Sequence, residues 1–346
     1  MAVAAITLQG CGMLKKPKEC TQKGINCLKT GCCEDKSLKC WATSDTYASC
    51  KESCEDGLFN SCTLVTKGGE VHMKPTTTAA PVETTPESEN AKDIKWIKGT
   101  WTTGYWDCCK PSCSWAGKGK LSEPIASCDA ETGKKTDPNK KSVCDGGAAV
   151  TCANNQPFKV SDSLSMGFVA AAVSGKNGLT GDKNCGQCFE LLFDGTQHID
   201  KGTGDKWGGA YPDLVHRRMI VQVTNIGYDV TGNHSFDILI PGAGQGIFDK
   251  GCVTQYPKHK KDDFDCGDRH GGCMKKSGCA DLPKELQKGC EWRYDWYNWM
   301  HKGGRTNNPY IWFRRVQCPQ QLIDISGAAP DDDTFQPTAS DKIVFA

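Results

Sequence analysis

Four short segments run apolar or alternate apolar with polar positions, and each reads as a β-strand: 188–193 (CFELLF), 219–224 (MIVQVT), 236–240 (FDILI) and 312–318 (WFRRVQC). The Gly-rich loops between them are long and irregular in spacing, which favours a β-barrel over repeated βαβ units. One amphipathic helix is expected at 162–173, with Ser161 as its N-cap. On the strand reading of 236–240, Phe236, Ile238 and Ile240 share one face and Asp237 points to the other with Leu239. The segment 251–289 is polar with little periodicity and reads as an ordered excursion pinned by its own cysteines. Its Asp262, Asp263, Asp265, Asp268 and His270 lack the fixed spacing of an EF-hand and are expected to be loop residues, not a metal site. No internal repeat is present, and no stretch reaches the ~18 apolar residues that span a bilayer.

Composition narrows the class. The 346 residues allow one large domain and a small one, and with 38% hydrophobic residues, 38 Gly and 23 Cys the chain is poor in aliphatic core and rich in loops and cross-links. Its 42 basic and 41 acidic side chains leave a net charge of +1, so no global field recruits nucleic acid or an anionic membrane. A neutral partner and a monomeric chain are expected. Only Cys185-x-x-Cys188 has zinc-site spacing, so the cysteines are better explained as disulfides of an oxidising compartment, which implies a secreted, extracellular protein. The apolar run 2–8 (AVAAITL) fits the remnant of a signal segment, or an ordinary disordered terminus.

The cysteines also divide the chain. Nine fall before residue 63 and fourteen after residue 107, with none between. In that gap, 75–90 (PTTTAAPVETTPESEN) is too polar to fold and reads as an extended linker, open to O-glycosylation, that separates two modules by roughly 50 Å. The expected organisation is therefore 1–18 as a signal remnant, 19–66 as a Cys-rich module, 67–95 as a Thr/Pro-rich linker, 96–328 as a catalytic domain and 329–346 as a tail.

Two carboxylates stand out by their surroundings. Asp107 follows Tyr105 and Trp106 and precedes Cys108 and Cys109, whose bridges would clamp it; Asp237 sits within an apolar strand. Apolar neighbours raise a carboxyl pKa by desolvation, which suits a general acid. Glycosidic bonds are cleaved by such pairs, one acid at the leaving oxygen and one carboxylate activating water or attacking the sugar. Either residue alone would read as a turn or cap carboxylate.

The run 103–118 (TGYWDCCKPSCSWAGK) closely resembles the signature of glycoside hydrolase family 45, the small inverting endoglucanases. Further blocks resemble the family in order: 150–175, 185–191, 236–252, and 289–297 with 313–319. The resemblance covers most of 99–326. It implies a mainly β fold, a six-stranded double-psi β-barrel crossed by a long open groove, with Asp107 as general base and Asp237 as general acid. Inversion needs the two carboxyl groups ~6.5–9.5 Å apart, with water between them. Asp229 is the candidate auxiliary acid, although it stands eight residues before Asp237, one more than the family spacing. Tyr105 and Trp115 match groove aromatics, and a flat ring suits the apolar face of a sugar. Trp292, Trp296 and Trp312 are expected in the core. Gly104 stands where the family has Arg, which removes a five-donor group beside the base.

Carried over by position, the family bridges imply Cys108–Cys252, Cys109–Cys144, Cys113–Cys185, Cys128–Cys152, Cys188–Cys318 and Cys279–Cys290. A further family bridge is missing, one partner being Gly186 and the other falling near Gly327. Cys266 and Cys273 remain and would pair with each other. Cys185 and Cys188 then have different partners, which weakens a zinc reading. Asn233-His234-Ser235 is a glycosylation sequon beside the proposed acid and is expected to be unoccupied or to point away.

The N-terminal module loosely resembles a fungal-type cellulose-binding module, with Trp41 and Tyr47 as stacking rings; a generic Cys-rich interaction module is the other reading. Its odd number of cysteines leaves at least one, such as Cys11, unpaired or removed. The combined expectation is a secreted endo-β-1,4-glucanase acting on a β-1,4-glucan, with no metal or organic cofactor. The rival is an expansin-like, non-hydrolytic wall-loosening protein, against which the complete motif around Asp107 argues.

Overall fold

The apolar runs form the centre of one mixed sheet that is buried on both sides. In the computed structural model, the described residues are 20, 27, 30, 32–44, 47–52, 63–64, 86–87, 96–173, 179–196, 198–199, 206–207, 213–228, 230, 234–297, 308–339 and 344–345. The chain divides into two units, residues 1–83 and 84–346.

In the first unit, β1 (Lys39–Ser44) lies between β2 (Tyr47–Lys51) and β3 (Thr63–Leu64), antiparallel to both. Cys20–Cys32, Cys27–Cys40 and Cys33–Cys50 tie it together. A segment this short buries little apolar surface, so cross-links take over much of the task of a core. Cys11, Cys54 and Cys62 lie outside the described residues.

The second unit holds β4 (Ile97–Trp101), β5 (Thr103–Tyr105), β6 (Phe158–Lys159), β7 (Leu164–Ala172), β8 (Cys188–Phe193), β9 (Arg218–Gly227), β10 (Phe236–Leu239) and β11 (Tyr310–Val316). Their order is β4-β11-β8-β9-β7-β10-β5, with β6 on β7. β7 runs parallel to β9 and β10 parallel to β5, while the other pairs are antiparallel. β4 and β5 are the two ends of this order, yet only Thr102 separates them in the chain. The sheet must therefore curl until its ends meet. The unit is mainly β, but no ladder joins β4 to β5, so the sheet is not closed.

Side chains alternate between two cores. Phe189, Leu191, Val221, Phe236, Ile238 and Phe313 face one, while Phe168, Ile220, Leu239 and Val316 face the other. Phe189, Phe236 and Phe313 touch edge-on or tilted at 5.3–5.8 Å between ring centroids. This two-sided burial corrects the expectation of a helix at 162–173. Residues 164–172 are strand β7, and all but its first residue are buried. A strand covered on both faces loses the period-two pattern, and its Ala-rich end then passes for helix. Ser161 accepts the Leu164 N–H at a turn before the strand and caps no helix, contrary to the expectation.

Glu190 is a charged residue at the centre of this apolar sheet. It is fully buried on β8, and its two oxygens bind Arg218 of β9 at 2.7 Å and Arg314 of β11 at 2.6–2.8 Å. The polar segment after 250 is ordered by α1 (Gly251–Gln255), α2 (Gln287–Asp295) and the bridges Cys266–Cys273 and Cys279–Cys290. Within it, buried Asp265 accepts from Gln245 Nε2 and the Gly267 N–H, and Asp268 accepts the His270 and Gly271 N–H groups. α3 (Gln320–Ser326) follows β11, and the Asp333 carboxylate beyond it accepts the Cys318 N–H.

Among the described residues, the other disulfides are Cys108–Cys252, Cys109–Cys144, Cys113–Cys185, Cys128–Cys152 and Cys188–Cys318. At Gly186 φ is +77°, and a Cβ there would stand 2.1 Å from Leu121 Cδ2. Leu121 thus fills the place of a side chain at 186, and Gln222 Nε2 links the Gly186 and Ala328 carbonyls at 3.0 and 2.9 Å. Among the described residues, no helix is long and apolar enough to cross a membrane.

Candidate active site

Asp107 and Asp237 reach the same cleft from neighbouring strands. Asp237 lies in β10, opposite Thr103 of β5, and Asp107 follows β5 by two residues. The cleft has a volume of about 420 Å³, and Tyr105 and Trp115 line it together with both carboxylates. A second hollow of about 200 Å³ shares Tyr105 and Asp237 with it and is bounded by Trp101, Gly104, Arg269 and His270. Asp237 therefore stands where two hollows meet. Gly104 is part of the wall of the second.

The backbone at Asp107 is fixed from several sides. Cys108, with φ at +62°, is bridged to α1 through Cys252, and Cys109 is bridged to Cys144. The Asp107 side chain accepts the Cys109 N–H at 2.9 Å. Buried Trp106 donates its N–H to the Gly244 carbonyl at 2.8 Å, and Thr151 Oγ1 donates to the Cys109 carbonyl at 2.6 Å. Gly251 opens α1 so close to Asp107 that a Cβ would lie 2.3 Å from the Asp107 carbonyl oxygen.

Asp237 is held by the sheet and by the loop that follows it. Ile240 donates its N–H to the Tyr105 carbonyl at 2.9 Å, continuing the β10–β5 contact. Arg293, fully buried, donates to the carbonyls of Gly242, Gly271 and Cys273, and burial lowers its pKa to about 9. Arg269 donates to the Gly246 carbonyl at 2.7–2.9 Å, which fixes the turn carrying Ile247 and Phe248. Tyr297 lies buried nearby with its hydroxyl 3.0 Å from Thr102 Oγ1; burial raises its pKa, against the opposing pull of the Thr102 hydrogen bond and of Arg293.

Trp115 follows a short turn (Ser112–Ser114) that Cys113–Cys185 pins. Asn225 of β9 ties that turn to Tyr105, donating to the tyrosine hydroxyl and accepting the Ser112 N–H. Lys110 is buried against Trp115, its Nζ 3.2 Å from the ring centroid.

Several cleft residues escaped the sequence reading. Tyr228, Ile247 and Phe248 are strongly exposed apolar side chains that all line the cleft. Phe248 and Lys110 lie inside blocks that resemble the family, so both were within reach of the sequence, whereas Tyr228 lies outside every such block. Asp229 and Asn233 lie outside the described residues. Trp292 and Trp296 are buried and stack at 5.5 Å, whereas Trp312 is half-buried with Lys98 over its ring. In the first unit Trp41 is half-buried on β1; Tyr47 begins β2, and its side chain lies outside the described residues. Cys185 and Cys188 are each in a disulfide and offer no thiolate to zinc.

Residues 99–329 match the family described as Glycosyl hydrolase family 45. The chain belongs to glycosyl hydrolase family 45. It is 38% identical over 225 residues to an endoglucanase of Cryptopygus antarcticus, covering 65% of this chain and 86% of the relative. It is also 38% identical over 237 residues to a Fusarium oxysporum protein named for a type K endoglucanase, covering 68% of this chain and 54% of that relative. The chain thus spans about half the length of the Fusarium protein. The crystal structure of a cellulase from the Antarctic springtail Cryptopygus antarcticus superposes with a TM-score of 0.54 at 34% identity, over 68% of this chain and 99% of that one.

Proposed function

We propose that this family 45 member is a secreted endo-β-1,4-glucanase that cleaves internal bonds of cellulose or a related β-glucan by single displacement with inversion. Asp237 protonates the leaving oxygen while Asp107 takes a proton from the attacking water. Tyr105 and Trp115 bind sugar faces, and the meeting of two hollows at Asp237 lets a chain run past the acid on both sides. The observation that carries this reading is the presence of Asp107 and Asp237 on one aromatic-lined cleft. Asp229 serves as an auxiliary acid, the curled sheet is a form of the double-psi barrel, and the catalytic domain spans 96–328. The protein acts as a monomer outside the cell, where its many disulfides are stable. The Cys-rich N-terminal module, through Trp41 and Tyr47, raises the local concentration of the catalytic domain on insoluble glucan.

The test is product analysis on a soluble β-1,4-glucan. Wild-type protein should release the α-anomer first, and Asp237→Asn and Asp107→Asn should each lose at least about a hundredfold in kcat while still binding the glucan. A β-anomer overturns inversion, and full turnover by either variant overturns its assigned role. Absence of new reducing ends with wild-type protein would instead favour the expansin-like reading.

A further inference from the structure

We infer that Lys110 is a positioning residue that holds the Trp115 ring in place as a platform for a glucan sugar ring. The inference rests on the proposed role of Trp115 and adds the group that keeps the ring ready.

Lys110 is only 6% exposed, so its amine has left water for the wall of the cleft. There Nζ donates to the carbonyls of Pro138 at 2.5 Å and Lys140 at 2.9 Å, and it sits 3.2 Å from the centroid of the Trp115 ring. Its own N–H donates to Ser142 Oγ at 3.1 Å, and the neighbouring Cys109 is bridged to Cys144. The ammonium is thereby fixed from the backbone outward before any sugar arrives. A cation over an indole attracts the ring's negative face, more strongly where water is excluded. It covers one face of Trp115, while the half-buried ring still lines the cleft. A ring already held in one rotamer loses less freedom on stacking, so the fixed cation converts to substrate affinity.

A loop-anchoring role alone would require only N–H donors to the two carbonyls. Lys110→Gln keeps such a donor and removes the charge, whereas Lys110→Arg keeps both. In the full chain, KM for a soluble β-1,4-glucan should rise about five- to thirtyfold in Lys110→Gln, with the loss falling in KM more than in kcat, and Lys110→Arg should recover most of it. Trp115→Ala should raise KM by at least as much, and adding Lys110→Gln to it should cause no further rise, because the lysine acts through the ring. Thermal melts show that each variant is folded. An unchanged KM in Lys110→Gln beside a raised KM in Trp115→Ala overturns the inference alone, as do effects that multiply in the double variant. An unchanged KM in Trp115→Ala overturns the platform itself, and the inference with it.

Discussion

The Asn225 amide donates to the Tyr105 hydroxyl at 2.9 Å, and the same side chain accepts the Ser112 N–H at 2.9 Å. One residue of β9 thus joins Tyr105 on β5 to the turn that carries Trp115. The two aromatics proposed to bind sugar belong to separate segments, and Asn225 makes their spacing a single quantity. Ser112 Oγ returns the contact by accepting the Ile226 N–H at 2.9 Å.

Asn225→Ala should therefore loosen both aromatics together. A part-buried donor and acceptor lose their partner at a cost of about 1–3 kcal/mol, shared between stability and substrate binding. KM on a soluble β-glucan should rise about fivefold with a small fall in melting temperature. A variant with the wild-type KM would show that neither ring depends on this link.

The Glu190 carboxylate faces two guanidinium groups, and all three residues are buried. Removing its charge by Glu190→Gln leaves Arg218 and Arg314 buried without the carboxylate that balances them. Breaking a buried ion group from one side costs about 3–5 kcal/mol, so the melting temperature should fall by on the order of 10 °C. Glu190 lies within the sheet, outside the cleft, so calorimetry should register the change more strongly than kcat does. Melting within about 1 °C of wild type would mean that the sheet does not depend on the triad.

Burial pushes the Lys110 amine down to about 8, against the opposing pull of Asp137. Asp107, Asp145 and Asp237 are the acids that line the same cleft. The folded state gives up this proton before the unfolded chain does, so the cost of burying the charge applies below about pH 8 and is relieved as pH rises toward the ordinary lysine value. Substrate binding should run the other way: a neutral amine no longer attracts the Trp115 ring, and KM should climb through about pH 8. KM measured from pH 6 to 9 should show that climb in wild type and lose it in Trp115→Ala. An equal climb in both would assign it to another group.

How far the sequence revealed the molecule follows from range. Residues 188–193, 236–240 and 312–318 were readable as strands because their apolar pattern is local, and β8, β10 and β11 are where it pointed. Residues 164–172 were misread because burial on the second face comes from segments distant in the chain. Glu190 sits in CFELLF with no local sign of its partners, which arrive from positions 218 and 314. Asp107 and Asp237 stand out by their neighbours, aromatics and paired cysteines for the one and an apolar strand for the other, but their roles come from the resemblance, since either alone reads as a turn or cap carboxylate. The tether from Asn225 to Tyr105 joins segments that the chain order does not bring together, whereas Lys110 and Trp115 share one short run in which only their side-chain contact is hidden from the sequence.

Gly251 offers a test of how tightly Asp107 must be placed. The residue opens α1 next to Cys252, whose bridge to Cys108 draws the helix against the loop bearing Asp107. A methyl at 251 would stand 2.3 Å from the Asp107 carbonyl oxygen and 2.8 Å from Cys144 Sγ, too close for either. The disulfides on both sides keep the segments from parting, so Gly251→Ala should shift the Asp107 backbone while leaving the protein folded. Displacing a reacting group by ~1 Å can lower rate about a hundredfold. If Asp107 is the base, kcat should fall by about tenfold to a hundredfold with KM little changed, since Trp115 and Tyr105 are anchored elsewhere. Single-turnover kinetics on a soluble β-glucan would separate the chemical step from binding. A folded Gly251→Ala protein with wild-type kcat would show that catalysis tolerates movement at Asp107, and would count against its role as the base.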